Sequence, residues 1–160
     1  MIRGKKMKKV LIVLTALLLI APAAGCSKKV SWVCEMEEAS ITSTNLMEAT
    51  GDKVTFLTYD TFMSMSGNNV NESIMQASVD EIIDDYNSTA GVEYTYDIDG
   101  DDFHQIVQID LTQAKISDLA KLGIMADNGT NATSISLKMT VANMEAGGFS
   151  CHEVNQSEKR

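Results

Sequence analysis

Val92-Glu93-Tyr94-Thr95-Tyr96-Asp97-Ile98-Asp99-Gly100-Asp101-Asp102-Phe103-His104-Gln105-Ile106-Val107-Gln108-Ile109-Asp110-Leu111 is the stretch that decides the fold class. Val92, Tyr94, Tyr96 and Ile98 alternate with Glu93, Thr95 and Asp97, the period-two pattern of a strand with one covered face. Asp99-Gly100 is a turn pair, and Phe103, Gln105, Val107, Ile109 and Leu111 return on one face. Two alternating runs joined by so short a turn make an antiparallel hairpin.

The same grammar extends upstream. Val30 to Glu38 places Val30, Trp32, Cys34 and Met36 at period two, and Ile41 to Thr50 forms the second arm of a hairpin across Glu37-Glu38-Ala39-Ser40. Gly51-Asp52-Lys53 turns the chain into a third strand, Val54 to Met65. Its alternation puts Leu57, Tyr59, Met63 and Met65 on one face, with Val54, Phe56 and Phe62 on the other. Ser66-Gly67-Asn68-Asn69 breaks the pattern, and Asn71 is an N-cap for a helix running to about Asn87. Met75, Val79, Ile82, Ile83 and Tyr86 recur there at helical spacing, while Asp80, Glu81, Asp84 and Asp85 face water.

Downstream of the central hairpin, Ile116 to Leu122 is about two helical turns stopped by Gly123, and Asp127 to Thr133 is a polar loop. Ser136 caps a last helix with Leu137, Val141 and Met144 inward, and Gly147-Gly148 stops it. Phe149 to Val154 is a final short strand. The order β-β-β-α-β-β-α-β, with hairpin-length turns, argues an α+β domain: a single antiparallel sheet with two main helices packed on one face.

The chain has 160 residues and a formal charge of −9, and these totals combine two unlike parts. Met1 to Lys9 is basic, Val10 to Ile20 is apolar except for Thr15, and Ala21-Pro22-Ala23-Ala24-Gly25 supplies small residues before Cys26. That is the three-part layout of a secretory signal, expected over residues 1–25. A membrane-spanning helix is the alternative, but eleven residues rise only about 16 Å, roughly half a bilayer core. Ala23-Ala24-Gly25-Cys26 matches a lipobox, so cleavage before Cys26 is expected to leave its thiol carrying diacylglycerol and its amino group acylated, with no other cofactor. Five of the thirteen basic residues leave with the signal, so eight face twenty-two acids in the mature chain, a charge of −14. That balance argues against a nucleic-acid partner and against adhesion to anionic lipid beyond the anchor itself. Residues 26–31 are then lipidated cysteine and tether, 32–154 the α+β domain, and 155–160 a tail.

These features, taken in order, resemble the YehR-like bacterial lipoproteins, a domain family of unknown function. The likeness runs from the lipobox and the strand around Cys34, through Gly51-Asp52-Lys53-Val54 and Tyr86 with Ala90-Gly91-Val92-Glu93, to the hairpin from Tyr94 to Leu111. Ile135-Ser136-Leu137, Met144 and Gly148-Phe149 complete it. The resemblance implies a small α+β lipoprotein domain and brings no catalytic residues.

With Cys26 lipidated, Cys34 and Cys151 remain as an even pair in an oxidising compartment. A disulfide closing the first strand onto the last is the favoured reading. A redox or metal-binding pair is the alternative, although neither cysteine sits in a C-x-x-C arrangement. Asp97, Asp99, Asp101 and Asp102 are weak candidates for Ca²⁺. Counted from Asp97, however, glycine falls fourth and the twelfth residue is Gln108, which suits a solvated hairpin turn better than an EF-hand loop. His104 and His152 are the histidines, both on strands; His104 points away from the Phe103, Gln105 and Val107 face, beside Ile106, so a surface histidine is the favoured reading and a zinc site using both with nearby carboxylates the alternative. Met63 and Met65 match either a copper(I) pair or ordinary core packing, and packing is favoured. No Ser/His/Asp order, phosphate-binding glycine loop or metalloprotease helix is present. The expectation is an extracytoplasmic, lipid-anchored, non-enzymatic domain that binds a protein or small-ligand partner or supports the envelope, the alternative being a metal- or small-ligand-binding accessory protein.

Overall fold

The structure is a computed structural model and describes residues 28–125 and 132–154. The signal expected at 1–25, Cys26 and the start of the expected tether, residues 126–131 with most of the polar loop, and the expected tail at 155–160 lie outside the described residues. Among them the elements are β1 (Lys29–Glu38), β2 (Ile41–Thr50), β3 (Lys53–Ser64), a 3-10 turn (Ser66–Asn68), α1 (Glu72–Ser88), β4 (Val92–Asp99), β5 (Asp102–Asp110), α2 (Ile116–Lys121), α3 (Leu137–Ala146) and β6 (Ser150–Val154). The six strands form one sheet in the order β4-β5-β3-β2-β1-β6. Every neighbouring pair is antiparallel. The expected α+β class and order are what the chain adopts.

Register explains which residues are dry. Cross-strand partners share a face, so Cys151, Cys34, Asn45, Tyr59, Val107 and Tyr94 make one row across the sheet. Trp32, Met47, Leu57, Ile109 and Val92 make the next. This is the core face, where Cys34, Met47, Val54 and Ile109 are completely buried. The helices close over it. Val79 of α1, Leu119 of α2, and Leu137 and Val141 of α3 belong to the same buried cluster. Burying side chains of this size stabilises the fold by about 1.5–3 kcal/mol each. Ile82, expected on the inner stripe of α1, is 36% exposed at its margin.

Alternation alone misplaces one residue. It puts Val54 beside Phe56 and Phe62, yet Val54 lies on the core face opposite Ala49. The cause is a bulge. Glu48 pairs with Phe56 and Ala49 with Val54, so Thr55 is an extra residue that resets the alternation. The Thr55 hydroxyl donates to the Glu48 carbonyl at 3.2 Å, and its carbonyl accepts from Leu111 N–H at 3.0 Å.

Caps fix the helix ends. The Asn71 side chain accepts from Ile74 N–H, and the Ser136 hydroxyl from Met139 N–H, as their positions imply. A longer latch joins α3 to β3. The Asp52 carboxylate accepts from the Ser136 hydroxyl at 2.8 Å and from Lys138 N–H at 2.9 Å. The free edge at β4 is shielded near its start. Asn87 at the end of α1 accepts from Tyr94 N–H at 2.7 Å and donates to the Tyr94 carbonyl at 3.2 Å. One carboxamide thus imitates a neighbouring strand and blunts the edge.

Candidate binding face

The other face of the sheet carries no helix among the described residues. It is built from the strand positions out of phase with the core: Val33 and Glu35 on β1, Thr42, Thr44 and Leu46 on β2, Phe56, Thr58, Asp60 and Phe62 on β3, Glu93, Thr95 and Asp97 on β4, and His104, Ile106 and Gln108 on β5. None of these side chains is buried. Antiparallel sheets tolerate one wet face, but such faces are ordinarily polar. Here Phe62 is 50% exposed, and Val33, Leu46, Phe56 and Ile106 are half-buried on the same face.

At its centre is an ordered trio. Phe62 and His104 are direct cross-strand partners, and their rings stack with centroids 3.8 Å apart and planes 5° from parallel. His104 Nε2 lies 2.8 Å from Asp60 Oδ1, on the neighbouring β3 position of the same face. Asp97 faces His104 from β4, and Thr42 faces Phe62 from β2. The stack holds the imidazole flat, and Asp60 fixes which nitrogen is engaged. Chemically, the trio offers an aromatic platform beside a carboxylate, an arrangement that attracts cations and apolar groups carried by cations. Among the described residues, the side-chain partners of His104 are Phe62 and Asp60.

Carboxylates are spread over the whole of this face. Glu35, Glu37, Asp60, Glu93, Asp97 and Asp110 all fall on open-face positions, and the lysines of this face, Lys29 and Lys53, sit at the end where β1 and β3 begin. The acidic balance of residues 26–160 is therefore present on the face that carries no helix among the described residues.

The Asp97–Asp102 turn is resolved into separate duties. Asp97 faces His104, and Asp99 pairs with Asp102 at the mouth of the hairpin. Asp101 turns back onto the end of β3. Its carboxylate accepts from Ser64 Oγ, Ser66 Oγ and Ser66 N–H, each at 2.7 Å. Those bonds, led by the Ser64 hydroxyl, hold the Asp101 carboxyl below the usual carboxylate range. Asp101 is thus a latch between two turns. Among the described residues no group of three or more His, Cys, Asp or Glu side chains is arranged to hold a metal ion.

The histidines are far apart. His104 is on β5 and His152 on β6, four strand spacings away, about 19 Å. A site using both is excluded by the strand order. Met65 is a core residue, 2% exposed, and Met63 packs half-buried against the core. Cys34 and Cys151 are direct partners across β1 and β6 and form a disulfide. Sequence reasoning found His104 and the face it lies on, but not Asp60 or Phe62 as its neighbours. The signal available was the apolar Phe56 and Phe62 on the wrong side of a half-buried strand.

A family model described as "Protein of unknown function (DUF1307)" matches residues 31–150. The fold is similar to the NMR structure of the Escherichia coli YehR protein, with a TM-score of 0.64 at 17% identity over 84% of this chain and 99% of that one. It is also similar to the NMR structure of a protein from Streptococcus pneumoniae TIGR4, with a TM-score of 0.55 at 12% identity over 93% of this chain and 100% of that one. No curated protein matches the chain.

Proposed function

The chain belongs to the DUF1307 family of proteins of unknown function; because that membership carries a fold and no reaction, we propose from the open face that this is a lipid-anchored extracytoplasmic binding domain, non-enzymatic, that receives a cationic partner. The observation that carries the reading is the exposed Phe62 ring stacked on His104 within a field of carboxylates. An aromatic platform exposed to this degree on a sheet face is uneconomical for solubility and suited to contact. Negative charge around it selects the sign of the partner and speeds encounter. The anchor supplies the rest. A lipidated Cys26 two residues before Lys28 holds the domain against a membrane, so that the partner comes to the surface.

Two experiments test this. Fatty-acid labelling of the full chain is lost in Cys26→Ser; persistence of label refutes the anchor. The lipid-anchored chain, incorporated in zwitterionic nanodiscs, binds a short lysine-arginine peptide more tightly than a glutamate-rich one, and added salt weakens that binding. Phe62→Ala and His104→Ala reduce it about tenfold, while Ile82→Ala on the helical side leaves it unchanged. Equal binding of both peptides, or no effect of Phe62→Ala, refutes the face.

A further inference from the structure

We propose that a depression at one corner of the open face, floored by Phe56, receives an arginine side chain of the partner polypeptide. The proposal rests on the binding role above and names the chemistry of one of its contacts.

The depression has a volume of about 280 Å³ and is lined by Phe56, Glu93, Gln108, Asp110 and Gln113, with the backbone of Gly91 and Val92 at its end. Its shape comes from the sheet. Phe56 faces Asp110 across β3 and β5, and Glu93 faces Gln108 across β4 and β5. The far wall is the chain leaving β5, drawn against β4 at Gly91. That residue has φ +77°, and a Cβ there would meet the Asp110 carbonyl and Ala114 nitrogen at 2.7 Å. Glycine is what lets the wall come so close.

The lining supplies acceptors. Glu93 and Asp110 bring carboxylates, Gln108 and Gln113 carboxamide oxygens, and among the described residues no lysine or arginine lines the depression. Asp110 Oδ1 is occupied by Thr112 N–H and Oγ1, while Oδ2 accepts from Gln113 Nε2 at 2.6 Å. The Gln113 amide donor is turned to Asp110, and its oxygen remains an acceptor. The bonds from Thr112 and Gln113 also hold the Asp110 carboxyl below the ordinary range, so it stays charged. A guanidinium fits this set: planar enough to lie on the Phe56 ring, with five N–H donors in a fork. An ammonium presents a compact point charge and uses fewer of the acceptors, and an anion meets two negative charges. The depression opens onto the sheet face, with Phe62 about 20 Å along the same strand. A single amino acid would leave most of its surface in water there, whereas an extended chain can insert one side chain and continue toward Phe62.

The test uses the full lipid-anchored chain in zwitterionic nanodiscs and a short arginine-serine peptide, read by fluorescence anisotropy. Replacing arginine by citrulline, which keeps the shape and removes the charge, weakens binding at least about tenfold, and replacement by lysine weakens it less. Glu93→Gln, an exposed position, weakens the arginine peptide about fivefold with an unchanged melting temperature, and Phe56→Leu acts in the same direction. Equal affinity for the citrulline peptide, or no effect of Glu93→Gln, overturns the proposal. If Phe62→Ala abolishes binding while Glu93→Gln does nothing, the depression fails and the binding face stands. If no peptide binds, both fail. Free arginine amide binding as tightly as the peptide, with the same Glu93 dependence, overturns the polypeptide source.

Discussion

Cys34 and Cys151, 117 residues apart in the chain, face each other directly across β1 and β6 and are joined by a disulfide. The bond ties the last, five-residue edge strand to the first. A closed loop of that length restricts the unfolded chain by about 4–5 kcal/mol on the chain-entropy model. Reduction is expected to add two hydrogens to the mass and expose two reactive thiols. It should lower stability to denaturant by about 3–5 kcal/mol, with amide exchange rising first along Cys151–Val154. Unchanged stability after complete reduction would contradict this account.

Val54 faces Ala49 because Thr55 is a bulge residue, so two neighbouring apolar positions on β3 carry opposite burdens. Val54→Asp is expected to cost more than about 4 kcal/mol by placing a charge in a completely buried site, whereas Phe56→Asp, on the open face, costs less than half as much. Denaturant titration of the two variants decides it. Similar losses would mean that the alternation runs unbroken through Thr55.

Asp52, Asp101, Asp110 and Asp118 all have carboxyl groups held below the ordinary 3.8. For Asp52 the main cause is the Lys138 N–H, for Asp101 the Ser64 hydroxyl, for Asp110 the Thr112 hydroxyl and for Asp118 the Lys121 ammonium. A depressed folded-state value means that the stabilisation is fully present above the unfolded value and disappears as pH falls through the depressed one. The melting temperature should therefore hold near neutrality and drop once the pH falls below about 4. Asp101→Asn should lower it at neutral pH and flatten the acid limb. An acid limb as steep as that of the parent would sink this assignment.

The Asn87 carboxamide pairs with both backbone groups of Tyr94 at the β4 edge. Asn87→Ala leaves that N–H and carbonyl to solvent, with an expected loss of about 1–2 kcal/mol. It also opens an edge to another chain, so light scattering at high concentration should rise. A soluble variant of parental stability would show that the edge needs no cover.

Much of this architecture was legible because hairpins are local. Val92 to Leu111 states its two strands and its turn without help, and Asn71 and Ser136 mark helix starts through side chains that reach only three residues ahead. The Thr55 bulge was not legible, since an extra residue in one strand is defined only against the partner it fails to match. The candidate face was half legible. His104 read as pointing away from the core, but Asp60 and Phe62 lie more than forty positions earlier and meet it only through the pairing of β3 with β5, strands separated in the chain by a helix and another strand.

By itself, the sequence determined an α+β chain of alternating strands and capped helices, an acidic balance over residues 26–160, and cysteines on the first and last strands. Each is a property of neighbouring residues or of simple counting. Tertiary structure decided the strand order. That order brought Cys151 opposite Cys34, put four strand spacings between His104 and His152, turned Asp101 into a latch and laid Phe62 on His104. The reason is that the described helices cover one face of this sheet. Which distant side chains are left together on the other face follows from register across strands, and register is settled by burial of the first face.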